Sequence, residues 1–563
     1  MQKKATEENV FQAHPTMDNF VKMFEDSVRS AWDKPAAGEF KISDETYREL
    51  AENIFKLQTL WTAAGLGKGD KVAINARSSV HWIEVFMAAV SGGFVSVQLF
   101  NGFLPGDVQK LTVHSDSKIL YTEKRSFAAM DFEQMTGVLA VIDTESMEIL
   151  AAREDFAELY ARRDDLFKER FPKGLTPEDV SFEIPAMEDV CAIMYTSGST
   201  GSPKGVMLTV KNFSYNVGII PTVLPFVSGE NYVSILPYAH IFGLTCDVII
   251  PLTHEMHVVV LGRPPIPSNV EEIMREYQPR IFLAVPLILN KFVEYTVGNE
   301  MHSVEGAAKL AAYEDYPEFC SDLRERVLSA LGGRIGAFAT GGAAIPPDIE
   351  NLLAFQINMP FFTGYGLTEC APVIAAGHIG SYKRKSCGEI LENLQYKIDS
   401  IDEENVAGEL LIKGDNVFAG YYKNPEATAA AFTEDGWFRT GDLGTVDKDK
   451  TLFLVGRCKS MLLSSNGQNV YPEEIEVVLN SLPYVAESII VQRGNALHAL
   501  IVPNMDRAAT DHIDASTLNN VMAQNIKKLN TCIPTYSAVS SYELMHEPFA
   551  KTPKGSIRRF MYS

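Results

Sequence analysis

The chain is 563 residues long, 46% hydrophobic and 22% charged, with a formal net charge of −22. That length holds more than one domain and an ample core, and the balance is that of a soluble globular protein. The acidic excess excludes a nucleic-acid footprint, which needs clustered Lys and Arg, and makes anionic membrane surfaces poor partners.

The seven cysteines, at 191, 246, 320, 370, 387, 458 and 532, form no C-x-x-C pair. Neither a zinc site nor a disulfide framework is therefore expected, and a reducing, cytoplasmic setting fits. Met1-Gln-Lys-Lys-Ala-Thr-Glu-Glu8 leads into no apolar stretch, so no secretory leader is expected. The most apolar region, Val233 to Leu261, is interrupted by His240, Asp247, His254, Glu255 and His257. That pattern predicts no transmembrane segment and at most peripheral membrane contact.

Residues 16–64 carry helical periodicity, clearest at Leu50, Ile54, Leu57, Leu60 and Trp61, and Gly65-Leu-Gly-Lys-Gly69 stops that helix. Lys71-Val-Ala-Ile-Asn75 reads as a buried strand, His81 to Val90 as an amphipathic helix, and Phe94 to Leu99 as the next strand. Strand alternating with helix at this spacing predicts an α/β fold with parallel layers. Segment 105–187 repeats the pattern at Lys118–Tyr121 and Val138–Ile142, and its charge run at 153–172 reads as a solvated helical face.

Between the apolar runs Val190–Met194 and Val206–Leu208 lies Tyr195-Thr-Ser-Gly-Ser-Thr-Gly-Ser-Pro-Lys-Gly205. Glycine admits positive φ, and the hydroxyls and N–H groups supply donors, so the loop suits phosphate oxygens. Its spacing is not G-x-x-x-x-G-K-[ST], which disfavours a P-loop kinase or GTPase. His240, in Ile235-Leu-Pro-Tyr-Ala-His-Ile-Phe-Gly-Leu244, reads from composition alone as a structural histidine. Arg280 to Pro286 predicts a buried strand, and 301–330 polar, peripheral helix. In Ala337-Phe-Ala-Thr-Gly-Gly-Ala-Ala-Ile-Pro346, small residues after an apolar strand leave room for a ligand, with Pro346 and Pro347 opening a helix.

Phe361-Phe-Thr-Gly-Tyr-Gly-Leu-Thr-Glu369 contains a Gly-Tyr-Gly turn followed by a carboxylate of the kind that holds Mg²⁺ beside phosphate oxygens. Thr440-Gly-Asp-Leu-Gly444 is a turn signal whose Asp442 can accept two hydroxyls. Gly456-Arg-Cys-Lys-Ser460 suits a hinge, because glycine beside long polar side chains tolerates large backbone changes. Beyond it Pro472 starts a helix, with Glu473 and Glu474 favourable to its dipole, and Val485–Val491 with Leu497–Val502 form a hairpin. This tail reads as a small α+β domain of about 100 residues.

Together these motifs resemble the adenylate-forming superfamily of acyl-CoA synthetases, luciferase and peptide-synthetase adenylation domains. Gly364-Tyr-Gly-Leu-Thr-Glu-Cys-Ala-Pro372, Gly420-Tyr-Tyr-Lys-Asn-Pro425 and Asn469-Val-Tyr-Pro-Glu-Glu-Ile-Glu476 are most similar to bacterial long-chain fatty acid–CoA ligases. The resemblance implies that Thr196, Ser197, Gly198, Ser199, Thr200, Gly201 and Lys204 bind the ATP phosphates. It places His240 at the gate of the carboxylate pocket and leaves His254 and His257 structural. Gly341, Gly342 and Ala343 then line the acyl pocket and approach the adenine, with Gly364, Tyr365 and Gly366 against the base. Thr368 bonds the α-phosphate, Glu369 with Thr196 holds Mg²⁺, Asp442 and Arg457 take the ribose, and Lys459 is the hinge.

The implied architecture is a large α/β adenylation domain, 1–456, and a mobile C-terminal domain, 457–563. The implied reaction joins a fatty acid to AMP from ATP and then passes the acyl group to coenzyme A. One motif departs from the family. In Lys551-Thr-Pro-Lys-Gly-Ser-Ile-Arg-Arg559, Ser556 stands where the family carries its catalytic lysine, and serine cannot neutralise phosphoryl oxygens. Lys554 is the nearest substitute, and Lys551 the second. Two alternatives stay open at this point: an acyl-carrier protein as acceptor, and a non-catalytic nucleotide-binding relative.

Overall fold

The structure is a computed structural model and describes residues 17–196, 203–463, 469–494, 496–552 and 557–562. Its centre is an eight-stranded sheet in the order Gly420–Tyr421, Lys204–Thr209, Val190–Thr196, Val95–Gln98, Lys71–Asn75, Ser117–Thr122, Ala140–Asp143, Ile149–Ala152. The strands from Val190–Thr196 through Ala140–Asp143 pair in parallel, and the edges pair antiparallel. Val72, Ile74, Val97 and Ile119 are fully buried, as a parallel sheet covered on both faces requires. The helix Val80–Ser91 starts where Ser79 accepts from the Trp82 N–H, and Tyr47–Ala63 starts on a Thr46–Glu49 capping box.

A second sheet runs Ile281–Ala284, Ala337–Gly341, Phe361–Gly366, Val373–Ala376, Glu389–Ile390, its first three strands parallel. A third contains Asn231–Ser234, His257–Val260, Pro35–Glu39 and Ser43–Thr46. The fourth is antiparallel: Gln395–Asp399, Gly408–Lys413, Phe438–Val446, Leu452–Arg457. A smaller C-terminal domain has its own core, in which Ile475, Leu479, Met522 and Leu529 pack against the sheet Val485–Arg493, Ala496–Pro503, Val539–Leu544. Among the described residues no helix is long and apolar enough to cross a membrane.

The α/β expectation holds, with local corrections. Segment 16–64 is not helical throughout: helices Phe20–Ser30 and Tyr47–Ala63 flank a hairpin, Pro35–Glu39 with Ser43–Thr46. The first strand of that hairpin pairs in parallel with His257–Val260, a partner more than two hundred residues away that local periodicity cannot register. The helices across 301–330 are less peripheral than their polarity implies. They bury Met301, Leu310, Leu323 and Val327 against Phe292 and Phe338 in a second core. The charge run at 153–172 does form two helices, Glu154–Ala161 and Arg163–Arg170.

Candidate active site

Val190–Thr196 and Lys204–Thr209 are antiparallel, with Thr196 opposite Lys204 and Tyr195 opposite Gly205. The Ser/Gly-rich loop is therefore the connection of a hairpin. Ser197, Gly198, Ser199, Thr200 and Gly201 lie outside the described residues, while Thr196 and Lys204 close its base. The Tyr195 hydroxyl and the His114 Nδ1 share a hydrogen bond of 2.6 Å, which braces this stem against the helix Pro105–His114.

Lys204–Thr209 also pairs with Gly420–Tyr421 at the sheet edge. That register sets the Lys204 ammonium 4.8 Å from the Tyr421 ring centroid, a cation–π contact. The Tyr421 hydroxyl donates to Glu369 Oε1 at 2.9 Å, and the Phe418 N–H donates to the Glu369 carbonyl. Burial and then the Glu369 charge hold the Tyr421 phenol far above its ordinary value, so it stays a donor. Glu369 sits with Thr368 in the 3₁₀ turn Thr368–Cys370. Asn216, on the helix after the loop hairpin, fixes this turn: its Nδ2 donates to the Cys370 carbonyl and its Oδ1 accepts from Val373 N. Glu369 lies in no cluster of three metal-ligating side chains among the described residues. A single carboxylate nonetheless fits Mg²⁺ that arrives bound to nucleotide phosphates and water.

The Gly364-Tyr-Gly366 segment is strand, not turn, and Gly364 lies opposite Gly341 on the parallel neighbour. A Cβ on Gly341 would come within 3.0 Å of the Gly364 carbonyl and 3.6 Å of the Phe242 ring. A side chain at 341 would be tight against that carbonyl, and the contact brings the His240 segment to the same strand ends. At Gly366 a Cβ would meet the Pro372 carbonyl at 2.0 Å. Gly342, at φ +84°, and Ala343 are exposed just beyond the strand. His240 caps the short helix Ile241–Gly243, its Nδ1 accepting from Phe242 N at 3.3 Å. His254 bonds the Ile250 carbonyl and His257 faces Asn231 and Asp44, both inside the packed protein.

Tyr365, Asp442 and Arg457 form a compact polar triad. The Tyr365 hydroxyl donates to Asp442 Oδ2 at 2.5 Å, and Arg457 Nε meets Oδ1 at 3.0 Å. Asp442 and Arg457 are cross-strand partners, and Thr440-Gly-Asp442 is a bulged strand with Gly441 at φ +72°, not a turn. Burial pushes the Asp442 carboxyl above its ordinary value, and Arg457 and the Tyr365 hydroxyl pull it back. The Asp442 charge, with further help from Tyr365, Glu369 and Glu473, holds the Arg457 guanidinium charged. Glu369 and the triad thus share one electrostatic neighbourhood. Lys459 comes next, in the turn Cys458–Ser460.

Lys554 and Ser556 lie outside the described residues. Their flanks do pair: Lys551 bridges Ile557, and Arg558 N donates to the Ala550 carbonyl at 2.8 Å. Lys551 itself is engaged with Glu487, and Arg559 anchors the tail on Glu476. Tyr421 and Phe242 are site residues that the motifs alone do not single out. Both lie inside recognisable motifs, at positions where only the folded register gives them neighbours.

Residues 24–422 match the AMP-binding enzyme family and 459–562 match the AMP-binding enzyme C-terminal domain. The chain belongs to the AMP-binding enzyme family, within the adenylate-forming superfamily. Among its relatives, Long-chain-fatty-acid–CoA ligase 4 of Saccharomyces cerevisiae is 27% identical over 476 residues, covering 77% of this chain and 68% of that one. Long-chain-fatty-acid–[acyl-carrier-protein] ligase AEE15 of Arabidopsis thaliana is 24% identical over 604 residues, covering 92% and 81%. The fold is shared with ATP-bound MatB from Rhodopseudomonas palustris, at a TM-score of 0.75 and 20% identity over 96% of this chain and 97% of that one.

Proposed function

We propose that this protein activates a medium- or long-chain fatty acid with ATP and transfers the acyl group to coenzyme A, in the cytoplasm. A carboxylate oxygen attacks the α-phosphorus and pyrophosphate leaves, giving acyl-AMP. The thiol sulfur then attacks the acyl carbonyl, loses its proton, and AMP leaves. The division between the large and the mobile domain falls at 456/457, with Lys459 as the hinge.

The contact path from Lys204 through Tyr421 to Glu369 carries this reading, because it binds a phosphate-loop base to a lone carboxylate beside the Tyr365–Asp442–Arg457 triad. Thr196 and Glu369 would hold the Mg²⁺ of MgATP, which supplies charge neutralisation at the phosphates. Lys204 adds a cation there, Asp442 accepts ribose hydroxyls, and Tyr365 sets the wall for the base. Such chemistry is mainly positioning and electrostatic stabilisation. Gly341, Gly342, Ala343 and Phe242 bound the acyl side, and Lys554 supplies the cation that Ser556 cannot.

Purified protein with MgATP and carboxylates from short to long chains is expected to exchange pyrophosphate into ATP. Loss of exchange on every acid, with nucleotide still bound, would leave a non-catalytic relative instead. The relative that is an acyl-carrier-protein ligase and aligns over 92% of this chain supports a second acceptor. Supplying coenzyme A or acyl-carrier protein to preformed adenylate, and measuring AMP release, separates the two.

A further inference from the structure

Asp247 interrupts the most apolar stretch of the chain and is 1% exposed. It lies on the π-helical segment Leu244–Ile249, directly after the His240-capped helix. Inserted π turns of this kind recur at functional sites. Every bond its carboxylate accepts comes from the segment leading to His240. Oδ1 accepts from the Tyr232 hydroxyl at 2.9 Å; Oδ2 accepts from Ser234 Oγ at 3.0 Å, Ile235 N at 3.2 Å and Leu236 N at 3.0 Å.

The other side of the same turn is held by Ser78. Its hydroxyl donates to the Leu236 carbonyl at 3.2 Å and accepts from Tyr238 N at 3.1 Å. The turn then closes on itself: His240 N donates to the Pro237 carbonyl, and a Cβ on Gly243 would come within 2.4 Å of that carbonyl. Residues 235–239 thus run between two side-chain clamps. From there the chain passes directly into His240 and Phe242, whose ring lies at the Gly341–Gly364 wall. Burying a carboxylate is costly, and the four donors that offset the cost at Asp247 all come from residues 232–236, which it thereby holds in place.

We propose that Asp247 and Ser78 are positioning residues that fix the His240–Phe242 wall of the carboxylic-acid site. The inference rests on the acid-activating function proposed above. Neither residue touches substrate; both act through the 235–240 turn, so their loss should weaken the acid and spare the nucleotide.

The test is pyrophosphate exchange by wild type, Asp247→Val, Asp247→Asn and Ser78→Ala, with KM measured separately for the best acid and for MgATP. Asp247→Val and Ser78→Ala are expected to raise the acid KM at least about tenfold and to hold the MgATP KM within about twofold. Asparagine keeps an acceptor for the two N–H groups and should recover most of the loss. If Asp247→Val does not fold, Ser78→Ala alone decides, since it deletes one half-buried hydroxyl. An unchanged acid KM in Ser78→Ala, or acid and MgATP KM rising in parallel, would overturn the inference while wild-type exchange stands. Wild type that exchanges on no acid would overturn the parent function, and the inference falls with it.

Discussion

Tyr421→Phe isolates one hydroxyl of the site. The ring is held independently of it: Tyr421 N donates to Thr428 Oγ1 at 2.9 Å, its backbone pairs with Val206, and the Phe418 ring lies 4.9 Å away. Phenylalanine therefore keeps the face beneath Lys204 and removes only the 2.9 Å bond to Glu369 Oε1. A hydrogen bond to a charged group contributes about 1.5–3 kcal/mol. Glu369 is half-buried, so water recovers part of that, and about 1.4 kcal/mol remains, a tenfold loss. The assay is pyrophosphate exchange titrated with Mg²⁺ at fixed ATP. A roughly tenfold lower kcat/KM with a higher half-saturating Mg²⁺ is expected, and Tm should move by no more than about 3 °C. Unchanged kcat/KM and an unchanged Mg²⁺ profile in folded Tyr421→Phe would refute the claim that Tyr421 orients a metal-holding carboxylate.

Four further substitutions test the remaining parts. Asp442→Asn removes the negative charge and leaves one acceptor oxygen where Tyr365 and Arg457 now have two. Because the Arg457 side chain is 63% exposed, water can take up its charge, so the expected effect is a KM for ATP raised at least about tenfold, read by exchange kinetics, without unfolding. Lys554→Ala should lower adenylation at least about tenfold, roughly 1.4 kcal/mol of transition-state stabilisation, whereas Lys551→Ala, which loses a Glu487 partner, should leave exchange near wild type; the reverse result would reassign the lysine. Burial, reinforced by Glu84, pushes the Glu45 carboxyl up to about 8, and burial pushes Glu84 up to about 7, with Asn53 donating to both. The folded protein thus keeps protons that the unfolded chain releases, so their contribution to stability is fully present below the ordinary value of 4.5 and lost as pH rises through about 7 and 8. Glu84→Gln should flatten the fall in Tm across that window by at least about 2 °C, measured by calorimetry.

The parts legible in sequence are those whose cause is local. Leu50, Ile54, Leu57, Leu60 and Trp61 share one helical face and start on a capping box, so their spacing suffices. Pro472 does open a helix, and the hairpin after it forms as its alternation implies. The features that escaped are set by distant partners. The strand at Pro35–Glu39 exists because His257–Val260 lies beside it. Thr440-Gly-Asp442 looks like a turn because glycine carries a positive φ there, yet the ladder to Arg457 makes it a bulged strand. Asp247 reads as an interruption of an apolar run, since sequence reports its charge and not the four donors folded around it. Tyr421 stands in a recognisable motif, but only the sheet-edge register gives it Lys204 on one side and Glu369 on the other.

The triad also lies beside the start of the C-terminal segment. Arg457 ends the strand Leu452–Arg457, and its carbonyl accepts from both Ser460 N and Met461 N at 3.1 Å. Cys458 N donates to the Gly441 carbonyl at 2.9 Å, so the turn holding Lys459 is tied at both ends to the strands that carry Asp442 and Arg457. A Cβ on Gly456 would lie 3.0 Å from Glu473 Oε2, which places the first turn of the helix Pro472–Asn480 against the same strand. In the proposed reaction a ribose hydroxyl accepted by Asp442 would share that carboxylate with Arg457, whose backbone carbonyl holds the turn. Asp442, the proposed ribose ligand, is thus paired with Arg457, which lies two residues before the proposed hinge Lys459.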